Sequence, residues 1–195
     1  LSLSLFSLSL SLSLSLSLQI PYLLRTFNGT LLALGEGRIG GCGDYKPTHL
    51  VYKRSVDGGH SWSPLFVLHR GAPGDVIGNA APVQVRATGR IVIPFCRNNS
   101  QVLQTVSDDD GVTFTPAQAV PSATRPEWKW LGLGPPAGLQ LASGRLIIPS
   151  YHDPFPVTRS EGGGGGVCVC VCVCGGGGGG GGGGGEEKKK KKKKK

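Results

Sequence analysis

The sequence predicts an all-β protein built from repeated four-stranded units, and three observations predict it. An octet of the form S-x-D-x-G-x-[ST]-aromatic runs from Ser55 to Trp62 and recurs 52 residues later from Ser107 to Phe114. Three polar turns carrying a glycine (Asn28-Gly29, Thr88-Gly89-Arg90, Ser143-Gly144-Arg145) each lead into a β-branched or Leu-rich run, with the glycines 60 and 55 residues apart. The body shows no helical periodicity, and 14 prolines with many glycines suit short strands and tight turns. Two turn types alternating at this spacing give four strands per unit, close to the ~40–50-residue period of propeller blades.

The elements follow in order. Residues 1–18 are nearly pure Leu-Ser alternation, 162–185 are glycine interrupted by Val-Cys alternation, and 188–195 are lysine. Each tract reads as a translated simple nucleotide repeat, and with no methionine the chain is expected to be a fragment. The tracts are set aside as low-complexity head (1–18) and tail (162–195). That leaves a body of residues 19–161, about 140 residues, enough for one modest core. Ile20 to Thr26 reads as a strand, Asn28-Gly29 as a hairpin turn with positive φ, and Thr30 to Leu34 as the returning strand. His49 to Arg54 alternates apolar and polar residues and reads as the next strand.

Charge and cysteine usage exclude several classes. The formal charge of +9 falls to +3 once the eight lysines 188–195 and Glu186 and Glu187 are removed. The body has no basic face interleaved with aromatics, so no nucleic-acid partner is expected. The Leu-Ser head has neither the basic n-region nor the cleavage site of a signal peptide. Its serines halve its hydrophobicity, so no membrane span is expected either. Four of six cysteines (Cys168, Cys170, Cys172, Cys174) lie in the Val-Cys tract, where a spacing of two puts them on one strand face. Zinc sites use C-x2–4-C pairs on turns, so no metal is expected. Cys42 and Cys96 make no disulfide framework.

In each octet the Ser and Asp side chains can bond local amides, and the glycines supply positive φ. Trp62 or Phe114 is expected to bury an aromatic anchor between layers. Ser55, Asp57, Gly59 and Trp62, and their counterparts Ser107, Asp109, Gly111 and Phe114, are therefore assigned to structure. Asp57, Asp109 and the adjacent Asp110 read as turn fasteners rather than catalysts. His60, His69 and His152 have no paired acid or nucleophile in view and read as structural.

The octets are Asp-boxes, and the body resembles the sialidase (neuraminidase) superfamily from Gln19 to about His152. Gln19-Ile20-Pro21 is similar to the family's Arg-Ile-Pro opening. Glu36-Gly37-Arg38 resembles its E-G/A-R strand end, and Asp44 follows where the family has an acid. Val76 to Asn79, the strand before Arg97-Asn98-Asn99, and Trp128 to Gln140 also resemble it. The resemblance implies a six-bladed β-propeller with about its first three blades present here. It implies an exo-α-sialidase that removes terminal sialic acids from glycoproteins, oligosaccharides or gangliosides. The anomeric carboxylate of sialic acid repels a carboxylate nucleophile, so sialidases use a Tyr, the exception to the two-carboxylate scheme. By the resemblance a Glu activates that Tyr, three arginines bind the carboxylate, and an Asp is the acid/base.

On that basis Asp44 is the expected catalytic acid/base, and Arg38 the expected sugar-binding arginine. Asn79 is a candidate for ring substituents. Arg97 follows a strand end and is a candidate for the same mouth. Gln19 stands where the first of the three arginines belongs, and a neutral amide cannot supply its charge. The family's G-P-G-x-G loop stands here as Gly134-Pro135-Pro136-Ala137-Gly138. The Glu, the remaining arginines and the Tyr belong to the absent half, so the chain alone is not expected to hydrolyse sialosides. No cofactor is implied. The expected partners are sialylated glycoconjugates. The family's settings are cytoplasmic, lysosomal, membrane-associated or secreted, and oligomeric state is not implied. Two alternatives stay open: a non-catalytic Asp-box propeller that binds glycans or proteins, and another Asp-box glycosidase.

Overall fold

The computed structural model describes residues 16–134, 137–153 and 168–172. They form three antiparallel sheets that follow one another along the chain. Blade 1 is a four-stranded meander of β1 (Leu16–Arg25), β2 (Leu31–Ile39), β3 (Thr48–Ser55) and β4 (Phe66–His69). In blade 2 the first strand comes in two pieces, β5 (Ile77–Gly78) and β6 (Val83–Gln84), both paired with β7 (Ile91–Arg97). Then come β8 (Gln101–Ser107) and β9 (Gln118–Ala119). Blade 3 repeats the split, with β10 (Trp130–Leu133) and β11 (Leu139–Gln140) both on β12 (Leu146–Asp153), and β13 (Cys168–Cys172) beyond. The expected all-β, propeller-like fold is thus present as three blades. Among the described residues the only helical element is a 3-10 turn, Pro121–Ala123, and no helix is long and apolar enough to cross a membrane.

Two boundaries differ from the expected ones. β1 starts at Leu16, inside the Leu-Ser tract, because Leu16 to Gln19 find backbone partners in Glu36 to Ile39. Cys168–Cys172 pairs with Ile148 to His152, since Val-Cys alternation suits a pleated strand. Cys174 and the rest of the tail lie outside the described residues.

The core lies between blades. Leu32, Leu34, Leu50 and Tyr52 of blade 1 meet Ile77, Ile91, Ile93 and Phe95 of blade 2. Val83, Val92 and Val102 of blade 2 meet Leu131, Leu133, Leu146 and Ile148 of blade 3. Strand alternation produces this division: one parity of β7 faces back to blade 1 and the other forward to blade 3.

The Asp-boxes close the turns between third and fourth strands. Ser55 Oγ donates to Asp57 Oδ1 (2.7 Å) and accepts from the Gly59 N–H (2.9 Å), while Asp57 accepts from the Ser61 N–H and hydroxyl at 2.9 and 2.5 Å. Ser107, Asp109, Gly111 and Thr113 repeat the pattern at 2.8, 2.9, 2.9 and 2.5 Å. Two expectations are corrected. Trp62 is 38% exposed and folds over its own turn, its indole N–H donating to the Gly59 carbonyl (3.0 Å), whereas Phe114 packs edge-on against Tyr52 at 5.2 Å. Asp110 is not part of the fastener. It sits at φ 61°, accepts from the Thr30 hydroxyl (2.5 Å), and pairs with Arg54 (3.2 Å), tying the blade 2 turn to blade 1.

Candidate functional site

Each blade's first strand breaks at a left-handed residue: Ile20 (φ 46°), Asn79 (φ 54°) and Gly134 (φ 62°). Opposite each break, the second strand places Glu36, Cys96 and Tyr151, paired in register with Gln19, Gly78 and Gly132. These three lie at matching distances from the hairpin glycines, and all three line one cleft of about 200 Å³. Gly78 is required there, because a Cβ would overlap the Glu36 carboxylate; one at Gly132 would come within 2.7 Å of Tyr151 Cζ.

Glu36 and Arg38 are two apart on β2 and so share a face. Arg38 donates from Nε (3.1 Å) and Nη2 (2.8 Å) to Glu36 Oε2. Its Nη1 donates to the Cys42 carbonyl (2.5 Å) and to Asp44 Oδ1 (2.8 Å). Glu36 Oε1 in turn accepts the Asn79 N–H (3.1 Å). Burial opposes the charge on Arg38, but Glu36 and then Asp44 outweigh it and raise its pKa. Arg38 is 4% exposed, while the Asp44 side chain is 80% exposed on the loop after β2. Gly40 (φ 73°) and Gly41 (φ 140°) let that loop turn back over the strand end. The result is a buried, neutralised arginine with one acid fixed behind it and one acid open to solvent in front.

Aromatic groups line the remaining wall. Trp130 and Tyr151 lie 4.9 Å apart in the cleft. The Tyr22 hydroxyl is buried with no hydrogen-bond partner among the described residues, and burial, then the Glu36 charge, hold its proton firmly. Burial likewise raises the Tyr151 pKa. Among the described residues no three His, Cys, Asp or Glu side chains cluster as metal ligands.

Arg38, Asp44 and Asn79 thus come together, and Gln19 and Arg97 stay apart from them. The register slips between Gln19 and Tyr22, so Ile20 rather than Gln19 enters the cleft. Gln19 lines a separate groove on the far side of blade 1 and donates to Ser17 Oγ (3.2 Å). Arg97 follows Cys96, so alternation turns it out of the cleft, and its Nε pairs with Asp75 (2.9 Å). His69 packs against Phe95, and His152 stacks flat on Trp128 at 4.0 Å.

A family model described as "BNR repeat-like domain" matches residues 29–164. The chain belongs to the sialidase superfamily with Asp-box (BNR) repeats. Among curated superfamily relatives, an exo-alpha-sialidase of Aspergillus fumigatus is 29% identical over 165 residues, covering 68% of this chain and 40% of the relative. Sialidase-3 of Bos taurus is 31% identical over 146 residues, covering 63% and 33%. The chain therefore spans about two fifths or less of these relatives' length. Among solved structures, the intramolecular trans-sialidase from Ruminococcus gnavus aligns with a TM-score of 0.64 at 15% identity, over 70% of this chain and 56% of that one. The NanB sialidase from Streptococcus pneumoniae aligns with a TM-score of 0.60 at 10% identity, over 80% and 44%. At these identities the structural likeness establishes the superfamily fold.

Tyr151, Trp130 and Cys96 were not singled out as site residues from sequence, and Glu36 only as part of the Glu36-Gly37-Arg38 strand end. Glu36, Cys96 and Tyr151 had a usable signal: each is the seventh residue after a hairpin glycine (Gly29, Gly89, Gly144). Trp130 had none, because an aromatic in a strand ordinarily reads as core.

Proposed function

We propose that this chain supplies the acid/base side of an exo-α-sialidase active site, with Asp44 as acid/base and Arg38 as the strand-end arginine that contacts the bound sugar. The observation that carries this reading is the Arg38–Asp44 pair at 2.8 Å at the mouth of one cleft, backed by buried Glu36. Glu36 holds the Arg38 guanidinium in place and Arg38 in turn holds Asp44, so a sugar at the mouth of the cleft would meet a fixed cation beside an open acid. An exposed carboxylate on a glycine-rich loop suits proton transfer to a leaving oxygen outside the cleft. Asn79, whose N–H is taken by Glu36, leaves its side chain for ring substituents. Gln19 and Arg97 have no part in this reading, the first because it lies in another groove and the second because strand alternation turns it out of the cleft. The Tyr nucleophile, its Glu and the other arginines would come from further blades. The substrates are terminal sialic acids of glycoproteins, oligosaccharides or gangliosides, and the chain by itself is inactive.

Two measurements test this reading. Saturation-transfer NMR on the chain should detect sialic acid and not galactose, and the signal should disappear in Arg38→Ala. Equal signals from both sugars would count against the site. In a form carrying all six blades, Asp44→Ala should slow alkyl sialosides far more than aryl sialosides, whose leaving groups need less protonation. Equal slowing would remove Asp44 from the acid role. A second reading, a non-catalytic glycan-binding propeller, draws support from Gln19, which brings no cation to the cleft. It predicts the NMR result without any turnover.

A further inference from the structure

Blades 1 and 2 join their second and third strands differently at the cleft end. In blade 1 the connection is the loop 40–47, which carries Asp44. In blade 2 it is the short turn Asn98-Asn99-Ser100. Asn98 is the ninth residue after Gly89, as Arg38 is after Gly29, so it stands at the matching strand end. Asn98 (φ 53°) and Asn99 (φ 47°) are both left-handed, a conformation that asparagine visits more readily than most residues.

Each asparagine pairs both backbone groups of one distant residue. The Asn98 N–H donates to the Val76 carbonyl (2.8 Å), and Asn98 Oδ1 accepts the Val76 N–H (2.8 Å). Asn98 Nδ2 also donates to Asp75 Oδ1 (2.9 Å), whose other oxygen takes the Ala72 N–H (3.0 Å) and Arg97 Nε (2.9 Å). The Asn99 carbonyl accepts the Leu131 N–H (2.7 Å), and Asn99 Nδ2 donates to the Leu131 carbonyl (3.0 Å). Val76 leads into Gly78 and Asn79, one wall of the cleft, and Leu131 follows Trp130 in the other. The first wall is thinly held by its own sheet: β5 meets β7 at Ile77 with Arg97 and at Gly78 with Cys96, and then the strand breaks at Asn79. The second wall belongs to blade 3, and Asn99 bonds it to blade 2.

We infer that Asn98 and Asn99 are positioning residues for the proposed sugar site. Asn98 fixes the wall whose Asn79 N–H meets Glu36 (3.1 Å), and Asn99 fixes the wall whose Trp130 ring lies against Tyr151 (4.9 Å). The inference rests on the reading of this cleft as a sialic acid site. Asn98 is exposed and Asn99 half-buried, so their bonds shape the cleft without carrying the core. The backbone bonds of the turn survive replacement of either side chain. Losing a side-chain amide therefore loosens one wall and leaves the fold in place.

Nuclear magnetic resonance on the full chain tests this with Asn98→Gly and Asn99→Gly, which keep the left-handed turn and remove the side-chain bonds. Asn98→Gly should speed exchange of the Asn79 amide about fivefold, the weight of one net hydrogen bond. Asn99→Gly should weaken the cross-peaks between the Trp130 and Tyr151 rings. Each should weaken sialic acid binding about fivefold at a urea midpoint close to the wild type's. Ser100→Ala alters the same turn, where the hydroxyl donates to the Arg97 carbonyl (3.5 Å), and should change none of these. Asn98→Ser and Asn99→Ser stand in if a glycine variant loses its circular dichroism. Unmoved exchange and cross-peaks, an affinity loss equalled by Ser100→Ala, or one that merely follows the urea midpoint overturns the inference. A wild type that binds no sialic acid removes the proposed function instead, and the exchange and cross-peaks then decide whether the turn holds the walls.

Discussion

At the residue scale, Arg38 depends on Glu36. Both are nearly buried, and each nitrogen of the guanidinium has a protein acceptor. Removing one partner of a buried pair strands the other, typically at about 3–5 kcal/mol. Glu36→Ala should therefore lower the urea midpoint by that equivalent, and Glu36→Gln, which keeps an acceptor, by less. An unchanged midpoint in Glu36→Ala would mean that Arg38 reaches water. The Asp-box acids respond to pH. The Thr113 hydroxyl and N–H lower the Asp109 pKa to about 2 from its ordinary 3.8, and the Ser61 hydroxyl and N–H lower Asp57 further still. A depressed folded-state pKa favours folding above the unfolded value, and that contribution is lost as pH falls. For Asp109 the loss should run from about pH 4 to about pH 2. Asp109→Asn should be less stable near neutrality and show a flatter decline over that window; parallel urea-midpoint curves would refute the assignment.

At the element scale, two glycines separate backbone strain from collision. Gly111 (φ 80°) and Gly40 (φ 73°) are both left-handed. A Cβ at Gly40 meets nothing within 4 Å, whereas one at Gly111 comes within 2.7 Å of Leu32 Cδ2 in blade 1. Gly40→Ala should cost about 1–2 kcal/mol from handedness alone. Gly111→Ala should cost about 1–3 kcal/mol more, from overpacking. Equal losses in thermal or urea melts would show that the blade 2 turn does not press on Leu32. This contact also explains why the Asp-box could be read as a turn but not as a tie. Ser107, Asp109 and Thr113 bond within eight residues, so their pattern is local. Asp110 and Gly111 act on Thr30, Arg54 and Leu32, some 55–80 residues away in sequence, and nothing local marks that.

At the scale of the whole molecule, stability resides between blades, so the blades should unfold together. Phe95 is fully buried at the first interface. Phe95→Ala should cost about 3–5 kcal/mol. Trp128 and Trp130 lie in or beside blade 3, so their fluorescence should report the same lowered midpoint as circular dichroism. A shift seen by dichroism but not by tryptophan emission would show independent blades. The three blades, their hairpins and both Asp-boxes were legible from turn chemistry and period, whereas the company of Arg38 and Asp44 was legible only through the family resemblance of the stretch from Glu36 to Asp44. The extent of β1 and the strand at Cys168–Cys172 were not, because repetitive tracts carry no register of their own and take it from a neighbouring strand.

What the sequence determined by itself was local: the strand parity, the positive-φ turns and the fasteners. These depend on residues a few positions apart, where chain geometry is set by φ, ψ and side-chain bonding. Only the tertiary structure decided which residues share the cleft. It brought Asn79 to Glu36 across 43 residues and set Trp130 and Tyr151 in the same wall. It also turned Gln19 and Arg97 away, the first through a register slip and the second through strand alternation. A one-residue change in register sends a side chain to the opposite face, and the register of each strand is fixed by the packing of the blades.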